Sequence, residues 1–272
     1  MEFILLVLTG LAGGITAGML GLGGGIFYIL VLPTIISWMG IPAENASPFV
    51  VANSIAGIAF ASGVSIITEY KRLVSYASEI AYIAIPSIIF SMSATYLIVY
   101  SPWFSKEVFN IFVVLLMVFI LVKMVLKDRL LKSGTPIDKA LNMAQGFFTG
   151  SISGTISALS GLGGGVIIIP ILQIRYLQSI RKSKIISLAI IFISTVFISI
   201  QNLVSTPLYN LSDIEHIGFI FPKMAIPLIL GVVIGGPIGV KLSARLSNNS
   251  LNKIFILFVF MVLVEKLINL FN

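Results

Sequence analysis

Two glycine clusters, Gly21, Gly23, Gly24 and Gly25 in one half of the chain and Gly161, Gly163, Gly164 and Gly165 in the other, can do chemistry without a reactive side chain. Each cluster exposes consecutive peptide N–H groups, and a new helix is expected just beyond it, at Ile26 and Val166. Free N–H groups at a helix N-terminus make a positive, preorganised pocket for an anion. Hydroxyls and one amide stand nearby: Thr16, Ser157 and Ser160 flank the bends, Asn53 and Ser54 lie in the third apolar segment, and Ser187 and Ser194 in the eighth. At such depth these groups either bond a neighbouring helix or line a wet cavity, and serine and threonine can also bond back to their own helix. A set of donors without carboxylates suits a small anion whose charge is spread over several oxygens, held weakly enough to be released.

Other chemistry lacks its parts. The chain has no cysteine and a single histidine, His216, which excludes disulfides, thiolate sites and a multi-histidine metal centre. No paired nucleophile and base is visible, so a membrane-embedded enzyme is disfavoured, and neither a cofactor nor a metal is expected. A phosphate-loop reading of the glycines fails for want of the lysine and serine that follow such a loop. No acidic or basic residue lies near the middle of any apolar segment, where proton carriers usually sit. Lys123 and Glu265 fall near segment ends, where they are expected to snorkel. Glu69 and Glu79 flank a loop and are expected to be solvated, and His216 is read as a surface residue of an outer loop.

The elements that must position the clusters are membrane helices. The chain is 58% hydrophobic and 10% charged with a mean hydropathy of +1.10, and its apolar runs recur nearly end to end. The first run has no basic region ahead of it and is not read as a cleavable signal. Segments are expected near 3–20, 26–38, 48–68, 77–100 and 108–126, and again near 141–160, 166–174, 185–205, 217–240 and 251–270. Their length and uniform apolarity favour helices over barrel strands. The second and seventh are shorter than the roughly 20 residues that cross a bilayer.

These segments divide into a repeat. GITAGMLGLGGG, from Gly14, returns as GTISALSGLGGG, from Gly154, and Ala84–Ile85–Pro86 returns as Ala225–Ile226–Pro227. The expected fold is therefore an all-α polytopic membrane protein of two inverted-topology repeats of about five helical segments each, with a first repeat over 1–126, a linker over 127–139 and a second repeat over 140–272. Paired short, glycine-interrupted segments mark the substrate site of many secondary transporters. Gly14 and Gly18, Gly21 and Gly25, Gly146 and Gly150, and Gly231 and Gly235 also carry the small-xxx-small spacing of packed helices.

Charge orients the segments. The linker (Lys127, Arg129, Lys132, Lys139) and the connection carrying Arg175, Arg181, Lys182 and Lys184 are basic, as are Lys71, Arg72, Lys241, Arg245 and Lys253, so all are expected in the cytoplasm. Glu44, Glu107, Asp213 and Glu215 then fall outside, with both termini. The net charge of +7 is spread over short loops, which fits membrane topology rather than nucleic acid, and raises the local anion concentration on the cytoplasmic side, favouring export.

Together these residues resemble the sulfite exporter TauE/SafE family, also called the toluene sulfonate uptake permease family. The resemblance rests on GITAGMLGLGGG and GTISALSGLGGGVIIIPIL, and on VANSIAGIAF ahead of EYKRLVSY, and covers essentially the whole chain. It implies a plasma-membrane carrier of sulfur-containing or organic anions such as sulfite, sulfonates or sulfoacetate, working without ATP hydrolysis. It carries the eight cluster glycines over as substrate-site backbone, and Asn53 and Ser54 as side-chain contacts. The chain departs from the family pattern at Glu69, where a histidine is common before the tyrosine of the first basic loop, and in its second half, which keeps only Ser187 of the polar pair. The expected partners are a small anion and the lipid bilayer. Proton coupling stays open, as does the oligomeric state, and a passive anion channel or uniporter is the rival within transport.

Overall fold

The computed structural model describes residues 2–100, 138–207 and 214–271, with scattered positions from 114 to 125. Most of the fifth expected segment and of the linker, together with Glu107, Lys123, Lys127, Arg129, Lys132, Asp213 and the side chains of Glu44 and Glu265, lies outside the described residues.

The described chain is an all-α membrane protein. Its helices are α1 (Glu2–Leu20), α2 (Gly25–Trp38), α3 (Ala43–Leu73), α4 (Ala77–Tyr100), α5 (Met143–Ser160), α6 (Gly165–Pro170), α7 (Ile180–Val204), α8 (Pro222–Arg245) and α9 (Asn248–Phe271). Glu2–Leu20, Ile180–Val204, Pro222–Arg245 and the stretch Pro48–Leu97 are long and apolar enough to cross a bilayer. α2, with 14 residues, spans only about 21 Å against a hydrocarbon core of about 30 Å. α6 is shorter still and unwinds through a π turn, Ile171–Arg175, directly after Pro170. Both short helices begin at the last glycine of their cluster, one residue before the expected start.

α3 and α7 form the centre. In the most apolar window of α7, 72% is buried, against 50% for α1 and 44% for α8. Their small and hydroxylic residues, such as Ala52, Ala56, Ser62, Ser183 and Ser187, let neighbours close around every face. The outer helices turn Leu8, Ile89, Phe148, Leu230, Ile234 and Phe260 outwards, an apolar surface that only lipid can cover.

Chain order and spatial order differ. α1 packs along α8, and α5 packs along α4, so each first helix of a half rests on the fourth helix of the other. Glycine permits this. Gly10, Gly14 and Gly18 of α1 run against Gly231, Gly235 and Gly239 of α8, with a Cβ on Gly14 reaching the Val232 carbonyl at 3.0 Å. Gly146, Gly150 and Gly154 of α5 run in the same way against Tyr82, Ile83 and Ser87 of α4. Without side chains at these positions the helices come close enough for dispersion between backbones to replace a hydrophobic effect that lipid cannot supply.

Boundaries differ from the sequence expectation at α3, which begins at Ala43 rather than near 48, at α8, which runs over Pro222–Arg245 rather than 217–240, and at two places with clear local reasons. EYKRLVSY is not a loop: α3 continues through Leu73, Lys71 and Arg72 complement its C-terminal dipole, and one 3₁₀ turn, Val74–Tyr76, leads into α4. α7 starts at Ile180 rather than near 185, because the Ser179 hydroxyl caps it by accepting from the Lys182 N–H. Arg181, Lys182 and Lys184 therefore belong to the first turns of a helix, where the dipole disfavours cations. Arg181 donates to the Leu246 carbonyl, while the two lysines pair with Glu79 and Glu69, whose side chains are buried rather than solvated as expected. Lys184 Nζ lies 2.8 Å from Glu69 and Lys182 Nζ 3.1 Å from Glu79, all four side chains being no more than 8% exposed.

The glycine stripes set a sharp stability expectation. Gly231→Val, which drives a branched side chain into the Val7 carbonyl and the Leu11 N–H, is expected to cost about 3 kcal/mol or more. Gly40→Ala meets no neighbour, and its cost is confined to a φ of +83°, about 1 kcal/mol. Thermal unfolding of the two variants in detergent checks the difference.

Candidate functional site

The two glycine bends meet tip to tip at the centre of the helices. A Cβ on Gly25 would stand 2.7 Å from the Leu162 carbonyl oxygen, and one on Gly165 would stand 2.9 Å from the Leu22 Cα. Gly23 and Gly163 lie under the same two side chains, Ile58 of α3 and Ile191 of α7. Each bend is held by the opposite half: the Ser54 hydroxyl donates to the Gly161 carbonyl at 2.8 Å, and the Ser187 hydroxyl donates to the Gly21 carbonyl at 2.9 Å. Every residue from Gly21 to Gly25 and from Gly161 to Gly165 is buried.

Left-handed backbone explains part of the glycine requirement. Gly21, Gly23 and Gly24 have φ near +77°, as do Gly161 and Gly163 in a range of 63–75°. Gly164 does not: its φ is −59°, and its nearest neighbour would be the Ser153 carbonyl at 3.2 Å. Gly24 instead presses on the Gly13 backbone, where a Cβ would come within 2.6 Å of Cα. The two bends are thus similar in path and unequal in tolerance. Gly24→Ala is a folding lesion, whereas Gly164→Ala needs only a small adjustment.

Among the described residues the N–H groups of Gly23, Gly24, Gly163 and Gly164 have no acceptor. Gly25 and Ile26 open α2, where the first N–H groups of a helix have no partner within the helix itself.

The postulated side chains differ in what they bond. Ser54 and Ser187 fasten the bends, as described. Thr16 and Ser160 bond back to their own helices, to the Ala12 and Ile156 carbonyls, and Ser160 also accepts from the Leu162 N–H. Ser157 is buried with its hydroxyl unpartnered. Ser194 shares a 2.9 Å hydrogen bond with Ser87. Asn53 is fully committed elsewhere: its amide donates to the Phe49 and Phe219 carbonyls at 2.8 and 3.0 Å, and its oxygen accepts from the Phe221 N–H at 2.9 Å. With Phe49 stacked on Phe221 and tilted against Phe219, each at 5.3 Å, it packs one end of the central helices.

The other end is closed by charge. Lys184, 3% exposed, donates to Glu69, to the Ser243 hydroxyl at 3.1 Å and to the Gly18 carbonyl at 3.1 Å, so that α1, α3, α7 and α8 meet on one ammonium. Lys182 does different work. It pairs with Glu79 and donates to the Asp138 and Lys139 carbonyls, while Glu79 accepts from the Leu141 N–H, which ties down the entry to α5. Tyr76 lies under Lys182, and its phenol is pushed above its usual range by burial first and by the Asp138 and Glu79 charges next, so it stays neutral. Neither lysine contributes to a surface field, contrary to the reading of Lys182 and Lys184 as loop charges.

Tyr28 was not singled out in the sequence. Its ring is wedged between Gly13 of α1 and Gly57 of α3, its hydroxyl is unpartnered, and the residue is fully buried. The available signal was a single polar-tipped aromatic four residues after Gly24 in an otherwise apolar run. The ion pairs were also missed, because partners far apart in sequence leave no periodic trace.

Two substitutions test this assignment of partners. Tyr28→Phe removes an unsatisfied buried hydroxyl at constant shape and is expected to raise stability by about 1 kcal/mol. Asn53→Ala strands the Phe219 carbonyl and the Phe221 N–H and is expected to lower it by about 2–3 kcal/mol. Melting temperatures of the purified variants read both signs.

Comparison with known proteins agrees with a transporter. The family profile described as sulfite exporter TauE/SafE matches residues 6–265. A "Probable membrane transporter protein" of Methanocaldococcus jannaschii is 27% identical over 91% of this chain and 88% of its own. "Probable membrane transporter protein YunE" of Bacillus subtilis is 22% identical over 92% of each chain. A "Probable membrane transporter protein" of Haemophilus influenzae is 26% identical over 97% of each. No solved structure matches. With nearly its whole length matched, this chain belongs to the sulfite exporter TauE/SafE family of membrane transporters.

Proposed function

We propose that the protein is a secondary carrier that exports small sulfur-containing or organic oxyanions, such as sulfite or a sulfonate, across the plasma membrane by alternating access. The observation that carries this reading is the contact between the two glycine bends under Ile58 and Ile191, beside N–H groups of Gly23, Gly24, Gly163 and Gly164 that find no acceptor among the described residues. Such donors attract an anion without offering a full charge that would trap it.

Closure at both ends supports a carrier over a pore. The bends touch, Asn53 and its aromatic cluster seal one side, and the Lys184–Glu69 pair seals the other. The reciprocal bonds from Ser54 and Ser187 support two inverted halves, 1–126 and 140–272, joined by a cytoplasmic linker with both termini outside. Rocking one half against the other would exchange these bonds and open each side in turn. The family's described member activity, sulfite export, supports the substrate class and the direction.

Flux in proteoliposomes tests the proposal, with sulfite, thiosulfate, sulfoacetate, an aryl sulfonate and sulfate offered with and without a pH gradient. Saturable uptake of one anion, accelerated by the same anion on the far side, is expected. The gradient arm reads proton coupling directly. Ser54→Ala combined with Ser187→Ala, which unfastens both bends, is expected to change the maximal rate about tenfold while the protein stays folded. Flux that climbs linearly with concentration would mean a channel, and folded protein that moves none of the anions would remove the assignment.

A further inference from the structure

α3 and α7 present the same face to the glycine bends. On α7 that face is Lys184, Ser187 and Ile191, and on α3 it is Val51, Ser54 and Ile58, each set at the three- and four-residue spacing that aligns side chains along one side of a helix. The pairs correspond in what they touch. Ser187 and Ser54 bond the carbonyls of Gly21 and Gly161, and Ile191 and Ile58 cover Gly23 and Gly163. A Cβ on Gly21 would meet Lys184 Cγ at 2.8 Å, and one on Gly161 would meet Val51 Cγ2 at 3.4 Å. The first members of the two sets differ in kind: where one bend meets an aliphatic side chain, the other meets a buried cation.

That cation is more than a packing group. Val51 shows that the fold is satisfied at this position by an apolar side chain of ordinary size. Lysine brings a desolvation penalty of several kcal/mol, which a buried pair rarely repays in stability. Two of its three acceptors, the Gly18 carbonyl and the Ser243 hydroxyl, are neutral. The third is the Glu69 carboxylate, a delocalised oxyanion tethered to the end of α3, and its other oxygen lies 3.3 Å from Arg72, a side chain 60% exposed. Glu69 thus has a second cation at the surface to retire to.

We propose that Lys184 is an anion-binding residue at the basic end of the transport path, and that the Glu69 carboxylate occupies in this closed state the place an incoming oxyanion takes. A sulfite or sulfonate head group displaces Glu69 from Lys184 and leaves it paired with Arg72. Because the same contact ties α3 to α1, α7 and α8, the exchange also releases that end of the molecule. Binding and opening are then one event, and the site stays masked when no anion is present. The inference rests on the anion-carrier reading and assigns it a residue.

The test uses the full chain in detergent, with sulfite and sulfoacetate titrated at constant ionic strength and binding read by calorimetry. Glu69→Gln removes the competing carboxylate and is expected to bind about tenfold more tightly than wild type, a gain that Lys184→Met in the same chain abolishes. A merely structural pair predicts the opposite pattern: Glu69→Gln melts earlier and binds no tighter, which would overturn the proposal, as would a gain that survives Lys184→Met. Should Glu69→Gln fail to fold, Glu69→Asp, which keeps the charge and loosens the contact, is expected to tighten binding to a smaller degree, and unchanged affinity there overturns it equally. Wild type that binds and carries sulfite, with no tightening in these variants, removes the role of Lys184 alone. Absence of binding by wild type and variants alike removes both this proposal and the oxyanion assignment.

Discussion

Backbone meets backbone where the two halves of this protein touch, and glycine is what allows it. Ile58 and Ile191 cover Gly23 and Gly163 from both sides, and the bends beneath them come within van der Waals distance along Gly25, Leu162, Gly165 and Leu22. A Cβ on Gly25 or Gly165 would push the halves apart and remove the point on which α2, α3, α6 and α7 converge. The left-handed φ at Gly21, Gly23, Gly161 and Gly163 is the second half of the same constraint, since it turns the chain back within a few residues. Close approach and sharp reversal together leave the peptide N–H groups of Gly23, Gly24, Gly163 and Gly164 without an acceptor among the described residues. An interior built in this way has polar groups to offer before any side chain is considered.

Around that contact, each polar side chain has a job that follows from its surroundings. In lipid an unsatisfied group is costly, so Ser54, Ser187 and Asn53 spend their hydrogen bonds on backbone groups that helices leave over at bends and ends. The closures differ in chemistry. One is aromatic and amide-bonded, built on Phe49, Phe219, Phe221 and Asn53, while the other is ionic, built on Lys184 and Glu69. The second ion pair, Lys182–Glu79, sits beside it and serves only to fix the loop that enters α5.

Much of the fold was legible in composition and spacing, because apolar length and repeated glycines leave a direct trace in sequence. The short second and seventh segments followed from the duplicated motif; the bonds from Ser54 and Ser187 to the carbonyls of the bends did not. What escaped was set by distance. Glu69 and Glu79 read as loop residues because their cationic partners lie more than a hundred positions away, and a charge next to Tyr70 or Ser78 gives no hint of burial. The stretch EYKRLVSY misled for a related reason: polarity resembles a loop, yet nothing in it breaks a helix. Asn53 was recognised as unusual, but its commitment to Phe219 and Phe221 depends on a turn at Gly218 that hydropathy smooths into a helix.

The crossed arrangement of α1 on α8 and α5 on α4 also bears on how the protein is made. α1 leaves the ribosome before α8, and the stripe of Gly10, Gly14 and Gly18 finds its partner only when Gly231, Gly235 and Gly239 have been synthesised. During that interval the stripe faces lipid or the insertion machinery, and the bend at Gly21–Gly25 has no opposing bend to rest on. α5, by contrast, emerges with α4 already in place. The second half therefore assembles on a waiting surface, whereas α1, made long before α8, is locked in place only once α8 has followed.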